Sequence, residues 1–64
     1  MRIIEALWFD KIGIILGKDE VTDEYKSYIG IGEGLNEESD TKYISRHGMP
    51  FPVDAALELF GKAG

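Results

Sequence analysis

The residues best suited to acid–base chemistry lie together near the middle of the chain: Asp40, Tyr43, Ser45, Arg46 and His47. On a helix, Tyr43 and His47 are one turn apart, so their side chains can make contact. Asp40 is two turns from His47, about 10 Å by helical rise, which is too far to orient the imidazole ring directly. Ser45 points to another side of the helix. A nucleophile, a base and an orienting group cannot be assembled from this segment, and we predict no catalytic residue.

A second segment passes from a strand through three glycines to the start of a helix. Its candidate ligand-binding residues are Gly30, Gly32, Gly34 and Asn36. Such a loop can cradle a phosphate, because backbone N–H groups at a helix N-terminus point towards the anion. The spacing differs from the dinucleotide-binding pattern, the P-loop lysine is missing, and neighbouring glutamates repel an anion. A phosphate site here would need a basic side chain from a second subunit, with Lys42 or Arg46 as candidates. A twisted strand exit and a tight turn also explain the glycines.

Acidic side chains dominate residues 19–40, where eight acids face the single base Lys26 and the net charge is −7, against −5 for the whole chain. This acidic patch comprises Asp19, Glu20, Asp23, Glu24, Glu33, Glu37, Glu38 and Asp40. Nucleic-acid binding depends on basic side chains that displace counterions, so we expect no direct binding of DNA or RNA. The run 19–24 lacks the ligand ladder and the glycine of a calcium loop, which favours a solvated turn and no metal site.

The length of 64 residues predicts one small domain over residues 1–64. A domain of this size buries only about 60% of the surface of its unfolded chain, and it is commonly stabilised by disulfides, a metal or oligomerisation. The chain has no cysteine and only one histidine. Disulfides and the usual zinc sites are therefore excluded, we expect no cofactor, and a homo-oligomer is the favoured source of additional stability.

The N-terminal segment is apolar but is interrupted by Glu5 and Asp10. It is too short and too charged for the apolar region of a signal peptide, and no segment reaches the length that spans a membrane. We therefore expect a cytoplasmic protein without a membrane partner.

The elements that must position these residues begin with a β-hairpin. Residues 12–18 and 25–32 are rich in β-branched and aromatic side chains and flank a polar turn. Alternation places Ile12, Ile14 and Leu16 on a predicted core face, whereas Gly13, Ile15 and Gly17 leave the other face almost without side chains. Residues 2–9 fit either a helix or a strand. We favour a third strand, because only two residues separate this segment from the next apolar run.

Two helices follow, at about 37–47 and 53–61. Asn36 is a suitable N-cap for the first, and Gly48 ends it. The second has an unusually wide apolar stripe, which predicts an interface formed by Ala55, Ala56, Leu59 and Phe60. The predicted fold class is α+β, with a small antiparallel sheet covered on one face by two short helices.

These observations favour a small, acidic, non-catalytic interaction module that self-associates through the last helix or the glycine-lined face of the sheet. One alternative is an acidic inhibitor that occupies a basic site on a nucleic-acid-binding protein, because carboxylates can replace phosphates by charge complementarity. The other alternative is a protein that binds a phosphate or nucleotide between subunits at the glycine-rich loop.

Overall fold

The structure is a computed structural model that describes residues 1–63. Three strands come first: β1 (Arg2–Phe9), β2 (Ile12–Lys18) and β3 (Tyr25–Ile31). They are followed by α1 (Glu37–His47), the two-residue strand β4 (Met49–Pro50) and α2 (Val53–Ala63). The sheet order is β1-β2-β3-β4, with every neighbouring pair antiparallel. The predicted α+β class, with a small antiparallel sheet and two short helices, is confirmed.

The first hairpin settles the ambiguous segment 2–9 as a strand. β1 and β2 are joined by the two-residue turn Asp10–Lys11, and Asp10 has a positive φ of 56°. The register is regular from Phe9 back to Glu5 and shifts between Ile3 and Glu5. This β-bulge adds an extra residue to β1 and disturbs its N-terminal end.

The second hairpin encloses the acidic turn 19–24. The carboxylate of Asp19 accepts hydrogen bonds from the backbone N–H groups of Val21 and Thr22 at 2.8 and 3.2 Å, and it lies 3.3 Å from Nζ of Lys26. These two N–H groups, followed by the ammonium group of Lys26, lower the pKa of Asp19 below its usual value. The turn is thus closed by its own side chain, and it directs β3 back along β2.

Helix α1 packs on the glycine-lined face of the sheet. A Cβ atom added at Gly13 would lie 2.9 Å from Cδ1 of Ile44 and 2.7 Å from Cζ3 of Trp8, and one at Gly30 would lie 3.1 Å from Cγ1 of Ile44. Ile44 itself is fully buried. The face that lacks side chains is therefore the one that a helix approaches most closely, because glycine leaves room for Ile44 against the backbone.

The opposite face carries the predicted core residues Ile14 and Leu16, both of which are buried. Ser27 pairs with Leu16 on this face, is buried, and donates its hydroxyl proton to the carbonyl of Ile15 at 2.9 Å. Helix α2 contacts β2 and β3. Since α1 occupies the other face, the burial of these side chains places α2 over this one. The two helices therefore lie on opposite faces, and the prediction that both cover one face is wrong.

The segment between the helices forms a short edge strand that the sequence did not indicate. The N–H group of Gly48 donates to the carbonyl of Ile44 at 2.8 Å and closes α1. β4 then pairs with residues 28 and 29 of β3, and the N–H group of Phe51 donates to the carbonyl of Ser27 at 2.9 Å. Two residues are too few for an alternating pattern to be recognised. Helix α2 also continues two residues beyond its predicted end.

Candidate interaction surfaces

The glycine-rich loop holds a carboxylate of its own chain. The N–H groups of Glu33 and Gly34 donate to the carboxylate oxygens of Asp40 at 3.4 and 3.0 Å. These are amides that a bound phosphate would use. Asn36 caps α1, because its side-chain oxygen accepts from the N–H group of Ser39 at 3.1 Å. The loop is therefore built to fasten the start of α1 to the end of β3.

A cavity of about 410 Å³ lies beside this loop. Its lining residues are Ile31, Gly32, Glu33, Ser39, Asp40 and Tyr43. Two of them carry carboxylates and none carries a positive charge. Lys42 lies 3.5 Å from the carboxylate of Glu38. Since nearby carboxylates repel an incoming anion, the geometry of this chain does not favour a phosphate site.

The side chains weighed for catalysis lie along α1. The rings of Tyr43 and His47 are 4.8 Å apart between centroids and tilted by 41°, the contact that their spacing allows. The hydroxyl of Ser45 donates to the carbonyl of Lys42 at 2.8 Å, so it is turned back onto its own helix. Within the described residues, no group of three or more His, Asp or Glu side chains could hold a metal ion.

The acidic patch is divided between the two ends of the sheet. Asp19, Glu20, Asp23 and Glu24 belong to the turn before β3, whereas Glu33, Glu37, Glu38 and Asp40 follow its other end. The seven residues of β3 separate the two groups by about 20 Å. Lys18 and Lys26 lie within ion-pair distance of Asp23 and Asp19. The acids are contiguous in sequence but do not form one continuous surface.

The predicted interface on α2 is largely occupied within the chain. Ala56 is fully buried, and Ala55, Leu59 and Phe60 are only partly exposed. Leu57, on another side of the helix, is exposed. The wide apolar stripe of α2 thus serves mainly to pack this helix against the sheet.

A row of exposed apolar side chains crosses the sheet on the α2 side, at the end that α2 leaves open. Phe9 pairs with Ile12 and Ile12 pairs with Ile31, so the three lie side by side on one face. Their exposures are 53, 45 and 71%, and Met49, which pairs with Ile29 on the same face, is 72% exposed. We call these four residues the apolar patch. The alternating pattern places Ile12 on this face, but only the position of α2 shows that it stays uncovered.

A groove runs along the other face of the sheet, between β1 and the first half of α1. Its volume is about 300 Å³, with Ile3, Ala6 and Trp8 contributed by β1 and Glu37, Glu38, Thr41 and Lys42 by α1. Within residues 1–63, β1 is the first strand of the sheet and has a neighbouring strand on one side only. An edge strand thus borders an apolar groove with charged residues on its helical wall.

In the part of the chain that the structure describes, no helix is long and apolar enough to cross a membrane. Comparison of the chain with protein-family models, with curated proteins and with solved structures finds no match.

Proposed function

We propose that the protein is a small, non-catalytic interaction module that associates with a second copy of itself through the apolar patch. The observation that carries this proposal is the alignment of Phe9, Ile12 and Ile31 across three neighbouring strands, with Met49 beside them. Scattered exposed apolar residues are normal on a protein surface, whereas a contiguous patch commonly marks an interaction site.

The size of the patch sets the strength of the expected association. From the exposures of its four residues and residue areas of roughly 200 Å², the patch presents about 480 Å² of apolar surface. Two copies packed face to face would bury roughly 960 Å² from the patches alone, at the low end of specific interfaces. We therefore expect a weak dimer that dissociates on dilution.

The small core of the molecule supports a dimer, and the net charge determines how the dimer should respond to salt. Among the residues that the structure describes, only Ile14, Ile15, Leu16, Ile44 and Ala56 are buried apolar residues, so burial of further apolar surface would add substantially to a small core. Each copy has a net charge of −5, so two copies repel each other at low ionic strength. Added salt screens this repulsion and should strengthen the association.

Sedimentation equilibrium over a range of protein and salt concentrations tests the proposal. Ile31→Lys places a charge in the centre of the patch and should abolish dimerisation without loss of the fold, because Ile31 lies at the end of β3 and is largely exposed. Val21→Lys is the matched control, since Val21 is 94% exposed in the turn at the other end of β3. A wild-type monomer at millimolar concentration, or a dimer that Ile31→Lys leaves intact, would contradict the proposal.

The two alternatives have weaker support. Separation of the acids into two groups removes the continuous surface that best imitates a nucleic acid, although a protein with a basic surface could still engage one group. A phosphate or nucleotide at the loop would have to displace the carboxylate of Asp40.

A cytoplasmic location is also part of the proposed function and rests on the composition of the chain. Fractionation of the producing cells tests it.

A further inference from the structure

We propose that the groove between β1 and α1 binds an extended, basic segment of a partner protein, in which the alternate side chains that face the groove include both apolar residues and lysine or arginine. The segment would add to the sheet as a fifth strand beside β1. This inference concerns the face opposite the apolar patch, so it goes beyond the proposed self-association and does not depend on it.

The backbone of β1 offers hydrogen bonds to such a strand. The two-residue turn makes Phe9 and Ile12 a pair that exchanges both backbone hydrogen bonds. Since the pattern alternates along an antiparallel pair, the N–H and C=O groups of Ala6 and Trp8 point away from β2. The regular register from Glu5 to Phe9 keeps this edge straight, and the bulge disturbs it only at the N-terminal end.

The side chains beside this edge form a wall that fits alternate residues of an added strand. Residues opposite Ala6 and Trp8 would direct their side chains to the α1 side of the sheet, into the groove of about 300 Å³. There they would contact the apolar surface of Ile3, Ala6 and Trp8. Edge-strand addition of this kind takes its affinity from backbone hydrogen bonds and its specificity from pockets for every second side chain.

Charge determines which extended segment fits. The helical wall of the groove carries Glu37 and Glu38, both exposed, with Lys42 paired to the latter. Glu5, whose side chain lies on the α2 side of the same strand edge, is also exposed. These carboxylates and the overall charge of −5 favour a basic segment and disfavour an acidic one. Protective features common on sheet edges, such as proline or lysine, do not occur between Glu5 and Phe9.

A random heptapeptide display library, panned against the immobilised protein, provides the probe. Binding of the selected peptides is then measured by the emission of Trp8, the only tryptophan of the chain, which lines the groove. We expect peptides that carry both apolar and basic residues at the alternate positions facing the groove, a saturable change in emission, and weaker binding at high salt.

Two variants test the geometry. Ala6→Pro removes an N–H group that points away from β2, so the sheet keeps its own hydrogen bonds while binding weakens about tenfold. Glu37→Lys leaves the strand edge intact and should weaken a basic peptide severalfold. Circular dichroism verifies that each variant is folded, and Ile31→Lys, which alters only the opposite face, should bind the peptides as the wild type does.

Three results would overturn the inference: no enrichment of peptides, enrichment of acidic peptides, or selected peptides that bind folded Ala6→Pro and Glu37→Lys as tightly as the wild type. Sedimentation of the same variants separates it from the proposed function. If Ala6→Pro abolishes self-association while Ile31→Lys leaves it intact, a second copy occupies this edge, and both proposals are wrong.

Discussion

The two faces of the sheet differ in how they meet their helices. On the α1 side, glycines in β2 and β3 let Ile44 reach the backbone, and the fit is too close for an added methyl group at Gly13. On the α2 side the strands carry full side chains, of which Ile14 and Leu16 are covered while the apolar patch is not. The tighter face is the one with fewer side chains. Close packing in this molecule thus depends on how near a helix can come to the sheet.

Truncation of one isoleucine on each face should give the largest difference in the free energy of unfolding. Ile44→Ala removes a fully buried side chain and should lower the free energy of unfolding by about 2–5 kcal/mol. The whole stability of a 64-residue domain is of the order of 3–10 kcal/mol, so this variant should be largely unfolded or close to it. Ile31→Ala, on the open end of the other face, should cost less than about 1 kcal/mol. Urea denaturation of dilute monomer measures both, and equal losses would invalidate the comparison.

Two glycine-to-alanine substitutions should change the stability of the protein in opposite directions. A Cβ atom at Gly48 would lie 2.6 Å from the carbonyl oxygen of Ile44 and 2.9 Å from that of Ile29. Because both contacts are to backbone, Gly48→Ala should destabilise the protein by about 1–3 kcal/mol. Gly61, in α2, has open space around the same position, and Gly61→Ala should stabilise by about 0.5–1 kcal/mol through helix propensity. Thermal unfolding of the two variants compares them, and a stable Gly48→Ala would argue against the close fit of α1.

Removal of the Asp40 carboxylate, which joins the glycine-rich loop to α1, tests how much this contact contributes to the free energy of unfolding. Asp40→Asn keeps the size of the side chain but replaces one acceptor oxygen by a donor, so the N–H group of Glu33 or Gly34 loses its partner. We expect a loss of about 1–2 kcal/mol in the free energy of unfolding, measured by urea denaturation. Glu37→Gln, at the same end of α1, is the control and should have a much smaller effect. If the two losses are equal, the carboxylate does not hold the loop.

The smallest effect is expected at the turn that leads into β3. The pKa of Asp19 is lowered in the folded protein, first by the N–H groups of Val21 and Thr22 and then by Lys26. Its stabilising contribution is therefore complete above the usual pKa of 3.8 and is lost as the pH falls through the lowered value. The melting temperature of Asp19→Asn should be slightly below that of the wild type near neutral pH, and the difference should shrink below pH 3.8. A difference in melting temperature that grows below pH 3.8 would contradict a lowered pKa for Asp19.

Most elements could be predicted from local patterns. Asn36 and the acids after it indicate where α1 begins, the two β-rich runs indicate the hairpin, and the short spacing after residues 2–9 indicates a strand. Each of these signals lies within a few residues of the feature that it predicts. β4 could not be predicted from local sequence, because its two residues form a strand through pairing with β3 and not through any β-propensity of their own.

The faces could not be assigned in the same way. Glycines in a strand are compatible with an empty face or with a closely packed helix, and only the position of Ile44 distinguishes the two. The acidic residues illustrate the same limit, since β3 carries the two halves of a contiguous segment to opposite ends of the sheet. The apolar patch is defined by what α2 leaves uncovered, which depends on tertiary structure.

The two lateral edges of the sheet limit the addition of strands from neighbouring molecules. On one side β1 presents its free backbone groups, whereas on the other the sheet ends in β4, whose Pro50 has no N–H group to donate. A neighbouring molecule can therefore extend the sheet from β1, and in a symmetric pair joined by that edge the outermost strand on both sides is β4. Growth of the sheet by edge pairing would then stop at β4 on both sides, because a filament built in this way requires two adhesive edges on every molecule. The shortness of β4 and its proline thus both oppose further strand addition on that side.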